Sequence, residues 1–235
     1  MLQTWAEFLM HYYTTLQPPQ PLPNDICWLH PQQNEEVYSI MSRFFNQFFN
    51  DSSQRTLLLG INPGRFGAGV TGVNFTAPRQ LTDYCHITHT LKPKSELSAE
   101  FIYDMINQYG GPEVFYSRFF IGSVCPLGLV QHGKNLNYYD DKKLLSVIEP
   151  FIVEKLSQLI SFHVNRKICL CIGGEKNFRY LSNLNNRYNW FEQIVPLPHP
   201  RFIMQYRRRQ KQEYVDMYLK ELGSSELGIV SSFDY

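Results

Sequence analysis

No charge of one sign dominates this 235-residue sequence: 22 basic and 21 acidic residues leave a net charge of +1. The broad positive field of a protein that coats nucleic acid is absent, so any polyanionic partner would have to be met by a local patch. Cysteines are few and oddly placed. Cys27, Cys85, Cys125, Cys169 and Cys171 form no C-x-x-C pair and no even framework, which excludes a disulfide-stapled secreted fold and implies a reduced, intracellular protein, cytoplasmic if bacterial. No apolar run is long enough to span a bilayer, and Glu7 precedes any basic residue, so neither a membrane partner nor a signal peptide is expected. There is no Gly-Lys-Ser/Thr for a P-loop and no internal repeat. His86, His89, His132 and His163 show no ligand-like spacing, so no metal is expected.

What the sequence does carry is apolar and aromatic mass. Hydrophobic residues make up 43%, with 15 Tyr, 17 Phe and 3 Trp, enough for one sizeable core with aromatics to spare. Apolar positions at helical spacing (Trp5, Phe8, Leu9, Tyr12, Tyr13, Leu16) predict a helix over 2–16, and the prolines at 18, 19, 21 and 23 make it read as a lid or arm on a stiff linker. Residues 35–49 read as a second helix and 56–61 as a nearly all-apolar strand, the pattern of a strand covered on both faces. Ser98 is expected to cap a helix to Tyr109, and 119–124 reads as a strand. Asp140 and Asp141 open a helix to about Phe162 that Pro150 should kink or split. A strand over 167–172, in which Cys169 and Cys171 share one face, a helix over 175–184, a strand over 191–195 and helices from Tyr206 to Leu222 follow. The expected fold is α/β, a three-layer sandwich with a central, mainly parallel sheet flanked by helices. It forms one domain over 1–235, with the helix and linker at 1–23, the core at 55–220 and a tail at 223–235. Sheets of this kind place their sites just beyond the carboxyl ends of strands.

Three loops leave such strand ends. The first runs from Gly60 through Ile61-Asn62-Pro63-Gly64-Arg65-Phe66 to Phe75. Its segment 67–72 spells G-x-G-x-x-G, but it starts well after the strand, Pro78 impedes the helix that should follow, and no acid lies at the expected offset, so dinucleotide binding is disfavoured. The loop offers instead a carboxamide on a glycine-bounded turn, free backbone N–H groups near Gly64 and an aromatic ring, a set suited to a small planar heterocycle. The second loop, Ser123-Val124-Cys125-Pro126-Leu127-Gly128, puts a hydroxyl at a strand end, and the third, Leu197-Pro198-His199-Pro200-Arg201-Phe202, fixes a histidine between prolines.

Asn62-Pro63-Gly64 with Phe66-Gly67, then Thr71-Gly72-Val73 and Phe75, resembles the first active-site motif of the single-strand-selective monofunctional uracil-DNA glycosylases, and more their bacterial second branch than the vertebrate type. Cys125-Pro126-Leu127 resembles the middle motif, and His199-Pro200 followed by arginine the third. The resemblance covers roughly residues 55–220. It implies the uracil-DNA glycosylase-like fold and hydrolysis of the N-glycosidic bond of uracil in DNA, single- or double-stranded, leaving an abasic site for base excision repair. It implies a monomer that uses no cofactor and places no lysine for lyase chemistry. In this reading Asn62 positions the attacking water, His199 supports the charge growing on uracil O2, and Phe75 stacks on the flipped base. Ile61, Gly64 and Ser123 line the base site. Gly64 leaves room at uracil C5 for 5-hydroxymethyluracil, and deaminated purines such as xanthine are more distant substrates. Two positions depart from the family pattern: Ser123 stands where an asparagine would read uracil N3–H and O4, and Arg65 stands where proline is usual and is expected to reach a phosphate.

From 201 to 211 the chain carries Arg201, Arg207, Arg208, Arg209 and Lys211 and no acid. This stretch reads as a loop that pushes into DNA, with Arg201, Phe202, Met204 and Gln205 as wedge candidates and Arg207 gripping phosphate. A near-neutral total then implies a small footprint and a shallow salt dependence of binding. The competing readings are a non-catalytic damaged-base or single-strand binding module of the same fold, which the serine at 123 favours, and a nucleotide-binding enzyme built on 67–72.

Overall fold

Thr4 starts the first helix, α1 (Trp5–Thr14), with a capping box: its hydroxyl accepts from the Glu7 N–H while the Glu7 carboxylate accepts from the Thr4 N–H. In the computed structural model, which describes residues 3–92 and 96–227, α1 is not a lid or arm. Trp5, Leu9, Tyr12 and Tyr13 are buried, and the Trp5 indole donates to the Ser53 carbonyl at 2.8 Å. The linker is tied down as well, since the Trp28 indole donates to the Pro19 carbonyl at 3.0 Å. A helix face carrying this much aromatic surface is more stable docked than free.

The chain continues through β1 (Ile26–Leu29), α2 (Glu35–Phe48), β2 (Arg55–Gly60), α3 (Ala68–Thr71), α4 (Pro78–Asp83), α5 (Leu97–Tyr109), α6 (Pro112–Tyr116) and β3 (Phe119–Ser123). Its second half holds β4 (Gly128–Gln131), β5 (Lys134–Leu136), α7 (Lys142–Ile160), β6 (Val164–Ile172), α8 (Gly174–Tyr188), β7 (Gln193–Leu197), α9 (Pro200–Tyr206) and α10 (Lys211–Leu227). Four strands form a parallel sheet in the order β3-β2-β6-β7. Leu57, Leu58 and Leu59 are all fully buried, as a central strand with helices on both faces requires. Adjacent residues of β3 show the two cover layers, because successive side chains point to opposite faces. Phe119 meets Tyr109 of α5 and Phe115 of α6, at ring centroid distances of 5.4 and 5.1 Å. Phe120 meets Trp5 of α1 and Phe49 beyond α2, at 5.7 and 5.6 Å. The α/β sandwich expected from the sequence is therefore present. Cys169 and Cys171 are both buried in β6, and burial raises both thiols far above the usual range, so they are packing groups.

A second sheet was not expected: β1, β4 and β5 pair antiparallel. The β4–β5 turn is His132-Gly133, with φ of 48° and 73°, the left-handed pair that a two-residue hairpin turn demands. His132 is thus a turn residue, and His86 and His163 also adopt positive φ.

Three local expectations are corrected. Ser98 does not cap α5; the Glu96 carboxylate does, accepting from the Ala99 N–H at 2.8 Å. Pro78 does not impede a helix but begins α4, because the first residue of a helix needs no N–H. Pro150 does not split α7, which runs through it; it lies on the exposed side, where water can satisfy the carbonyl that loses its partner.

The start of β2 is held by a buried cation. Arg55 is fully buried, makes a two-pronged pair with Asp51 at 2.9 and 2.7 Å, donates to the Tyr116 carbonyl at 2.7 Å, and lies over the Phe49 ring at 4.9 Å. The Arg55 hydrogen bonds hold the Asp51 carboxyl down at about 2. Asp51→Ala leaves the buried guanidinium without its counter-charge; because the Asp51 side chain is itself 42% exposed and the pair partly screened by water, the loss is expected to be about 1–2 kcal/mol, read as a fall in the urea midpoint at pH 7. The sign with pH follows from the lowered value. The pair's contribution is complete above the unfolded carboxyl range near ~4 and is lost as pH falls through about 2, so the difference between wild type and variant should shrink over that window.

Candidate functional site: a strand-end cleft

The carboxyl ends of β2, β3 and β7 open onto one cleft of ≈ 380 Å³, in the size range of small-molecule sites. Ile61 and Asn62 enter it just past β2, Ser123 ends β3, and His199 follows β7 by two residues. Asn135 and Asn137, from β5 and the turn after it, form part of the wall.

Asn62 is clamped by that wall. Its Nδ2 donates to the Leu136 carbonyl at 3.1 Å and its Oδ1 accepts from the Tyr138 N–H at 3.2 Å. The clamp demands one donor and one acceptor, which an amide has and a carboxylate lacks, and it sets which way the amide faces. Tyr138 is itself held by its hydroxyl, which donates to Asn177 at 2.7 Å. The next turn is tied to the same hairpin. The Arg65 N–H donates to Asn135 Oδ1 at 3.1 Å, and the Arg65 guanidinium donates to the Gly133 carbonyl while lying 4.5 Å from the Phe66 ring. The N–H beside Gly64 expected to be free is therefore taken. Gly64 itself faces the cleft, where a Cβ would sit 3.3 Å from the Asn135 amide. The 67–72 segment folds into the single turn α3, whose closing Gly72 at φ 74° packs on Met41 and Val37 of α2.

Phe75 has φ of 52°, a strained conformation for a residue with a side chain, and its ring lies against Gly60. A Cβ at Gly60 would fall 2.8 Å from that ring, so the last residue of β2 is a glycine to make room for it. The Phe75 and His199 rings stand 6.1 Å apart, tilted by 48°. A base sandwiched between them would need two contact gaps of about 3.5 Å each. The two rings therefore stand too close to sandwich a planar ligand between them.

His199 is set into the cleft as the N-cap of α9, and its Nδ1 accepts from the Arg201 N–H at 3.0 Å. Tyr218 of α10 donates to the Pro198 carbonyl and steadies the loop from behind. Burial, with a smaller push from Arg201, lowers the imidazole pKa to about 4. At neutral pH the ring is uncharged, and because Nδ1 is an acceptor the proton sits on Nε2. A step that depends on this donor is expected to run at a rate independent of pH from about 8 down to about 5 and to change only as the ring takes a proton near pH 4. A single-turnover pH profile checks this; a midpoint between 6 and 7 would assign the role to a charged imidazole.

One residue absent from the sequence-based site lines the same cleft. Asn74 lines the cleft, 7% exposed; its Oδ1 accepts from Ser123 Oγ at 2.9 Å and its Nδ2 donates to the Tyr13 hydroxyl at 3.2 Å. Its place directly before Phe75 is the only signal the sequence offers for it.

Residues 201–205, expected as a loop, lie in the helix α9, and a 3-10 turn at Arg208–Gln210 joins it to α10. Helix α9 buries Ile203 and Met204, so Met204 is withdrawn as a wedge: helical period turns it to the core. Arg201 and Gln205 are exposed, as are Phe202 at 44% and Tyr206 at 68%, the latter two 5.7 Å apart. Arg207 lies over the Phe202 ring at 5.7 Å. Lys211 is paired with Asp104 of α5 at 2.6 Å, which leaves Arg201, Arg207, Arg208 and Arg209 as the exposed cations of the stretch.

Two comparisons with known proteins bear on this cleft. The sequence profile of the uracil DNA glycosylase superfamily matches residues 47–223. A crystal structure of wild-type Pedobacter heparinus SMUG2 superposes with a TM-score of 0.92 at 39% sequence identity, over 96% of this chain and 99% of that one.

Proposed function

This chain belongs to the uracil DNA glycosylase superfamily, and on that premise we propose that it is a monofunctional glycosylase that hydrolyses the N-glycosidic bond of uracil in DNA and leaves an abasic site. The observation that carries the reading is the neutral His199, held as an Nε2–H donor in the cleft that Asn62 and Phe75 share.

The target nucleotide must first leave the base stack, at a cost of a few kcal/mol. The exposed Arg201, Arg207, Arg208 and Arg209 hold phosphates beside the cleft, and Phe202, Gln205 and Tyr206 on the outer side of α9 are placed to fill the gap. The flipped base stacks on Phe75. As the glycosidic bond stretches, positive charge grows on the sugar and negative charge on the base; His199 Nε2–H donates to uracil O2 where that charge collects. A neutral donor suits this step because it stabilises the departing anion without having to give up its proton. The clamped Asn62 amide keeps a lone pair and an N–H for a water molecule, which needs only placement because the bond is nearly broken before it attacks. Gly64 puts no side chain beside the base, and the nearest group on that side is the end of the Asn135 side chain; 5-hydroxymethyluracil, whose C5 substituent would lie against that amide, is the expected second substrate.

An excision panel of uracil, 5-hydroxymethyluracil, thymine, xanthine and hypoxanthine in single- and double-stranded oligonucleotides, followed by alkali, tests the proposal. Scission at uracil, with 5-hydroxymethyluracil next, supports it. Retention of uracil-containing strands without scission would make the protein a damaged-base binding module.

A further inference from the structure

We propose that Asn74, braced by Ser123 and by Tyr13 of the N-terminal helix, is the residue that selects uracil through its N3–H and O4. This rests on the glycosylase reading above and names the group that gives it specificity. The serine at the end of β3 poses the problem: one hydroxyl cannot offer a donor and an acceptor side by side in the plane of a base. The structure places a carboxamide directly beside it.

Counting valences shows what that carboxamide has left. An amide carries two N–H donors and two acceptor lone pairs. Tyr13 takes one donor at 3.2 Å and Ser123 fills one lone pair at 2.9 Å. One N–H and one lone pair remain for the cleft that Asn74 lines. Uracil presents the complement, an N3–H that needs an acceptor and an O4 that needs a donor, whereas cytosine presents the reverse. The next residue, Phe75, is the stacking platform, so a base lying on that ring brings an edge toward the side chain that precedes it.

The braces are rigid. Asn74 and Ser123 are both buried, and the Tyr13 ring stacks on Phe45 at 6.0 Å and meets Tyr12 edge-on at 5.0 Å. Burial raises the Tyr13 phenol above its usual range, so it stays an uncharged partner at any working pH. Helix α1 thus carries the hydroxyl that aims the reading group.

The test compares uracil with 2-pyrimidinone, a base that keeps O2 but has neither N3–H nor O4, in otherwise identical oligonucleotides under single-turnover conditions. Wild type should prefer uracil. Asn74→Ala should lose about tenfold or more on uracil with little change on 2-pyrimidinone, so that the preference collapses. Tyr13→Phe and Ser123→Ala should shift it the same way by less, and they decide the matter if Asn74→Ala shows no thermal transition. Equal losses on both bases, or none, would overturn the proposal and leave Asn74 as a support for Phe75. If wild type excises neither base, the glycosylase reading falls on its own, and the preference is read from binding of the two oligonucleotides.

Discussion

His199→Ala is expected to lower single-turnover excision of uracil by about 10²–10³-fold, the usual effect of deleting one donor aimed at developing negative charge. The size follows from the setting. Nε2–H lies in a cleft where burial, with a smaller push from Arg201, brings the ring pKa to about 4, and a hydrogen bond to a growing anion gains most where water is scarce. The substitution also removes the acceptor for the Arg201 N–H, a capping loss of about 1 kcal/mol that a melting curve would register separately. Binding to abasic DNA, which has no base to contact, should be unchanged. His199→Gln keeps an N–H donor and should fall between wild type and alanine. A wild-type rate in His199→Ala would remove the charge-stabilising step from the mechanism.

The second large effect is expected at Asn62. Asn62→Ala should reduce the rate by about 10³-fold, in the range that positioned proton-transfer and orienting groups contribute, because the water then enters the cleft without a fixed direction. Asn62→Asp separates orientation from basicity. A carboxylate is the stronger base, but it has no N–H for the Leu136 carbonyl that Nδ2 meets at 3.1 Å and sets oxygen against oxygen there. The aspartate variant should therefore also be slower than wild type. A faster one would show that the clamp does not govern the step.

The parallel sheet and most of the cleft are legible in the sequence because both depend on local pattern. Leu57 to Leu59 form an apolar run of the kind a doubly covered strand carries, and Ile61, Asn62, Ser123 and His199 all stand within two residues of a strand end. The sheet of β1, β4 and β5 is hidden. Its strands are three or four residues long, too short to display an alternation of period two, and Ile26 pairs with Gln131, far along the chain. The hairpin signal at 132–133 is weak because histidine is a less familiar left-handed residue than asparagine or aspartate. The docking of α1 and the joining of Asn74 to Tyr13 and Ser123 are long-range events, 61 and 49 residues apart in sequence, which no local pattern records. Met204 fails as a wedge for a simpler reason: a stretch read as a loop carries no inner face, and the helix that forms there has one.

The product of the reaction offers the most direct measurement. A uracil-containing strand incubated with the protein, without alkali, should be recovered whole by mass spectrometry, its mass reduced by that of uracil and increased by that of one water, with free uracil in the filtrate. A strand of unchanged mass that remains bound to the protein, or a strand already cut before alkali is added, would contradict hydrolysis by a monofunctional glycosylase.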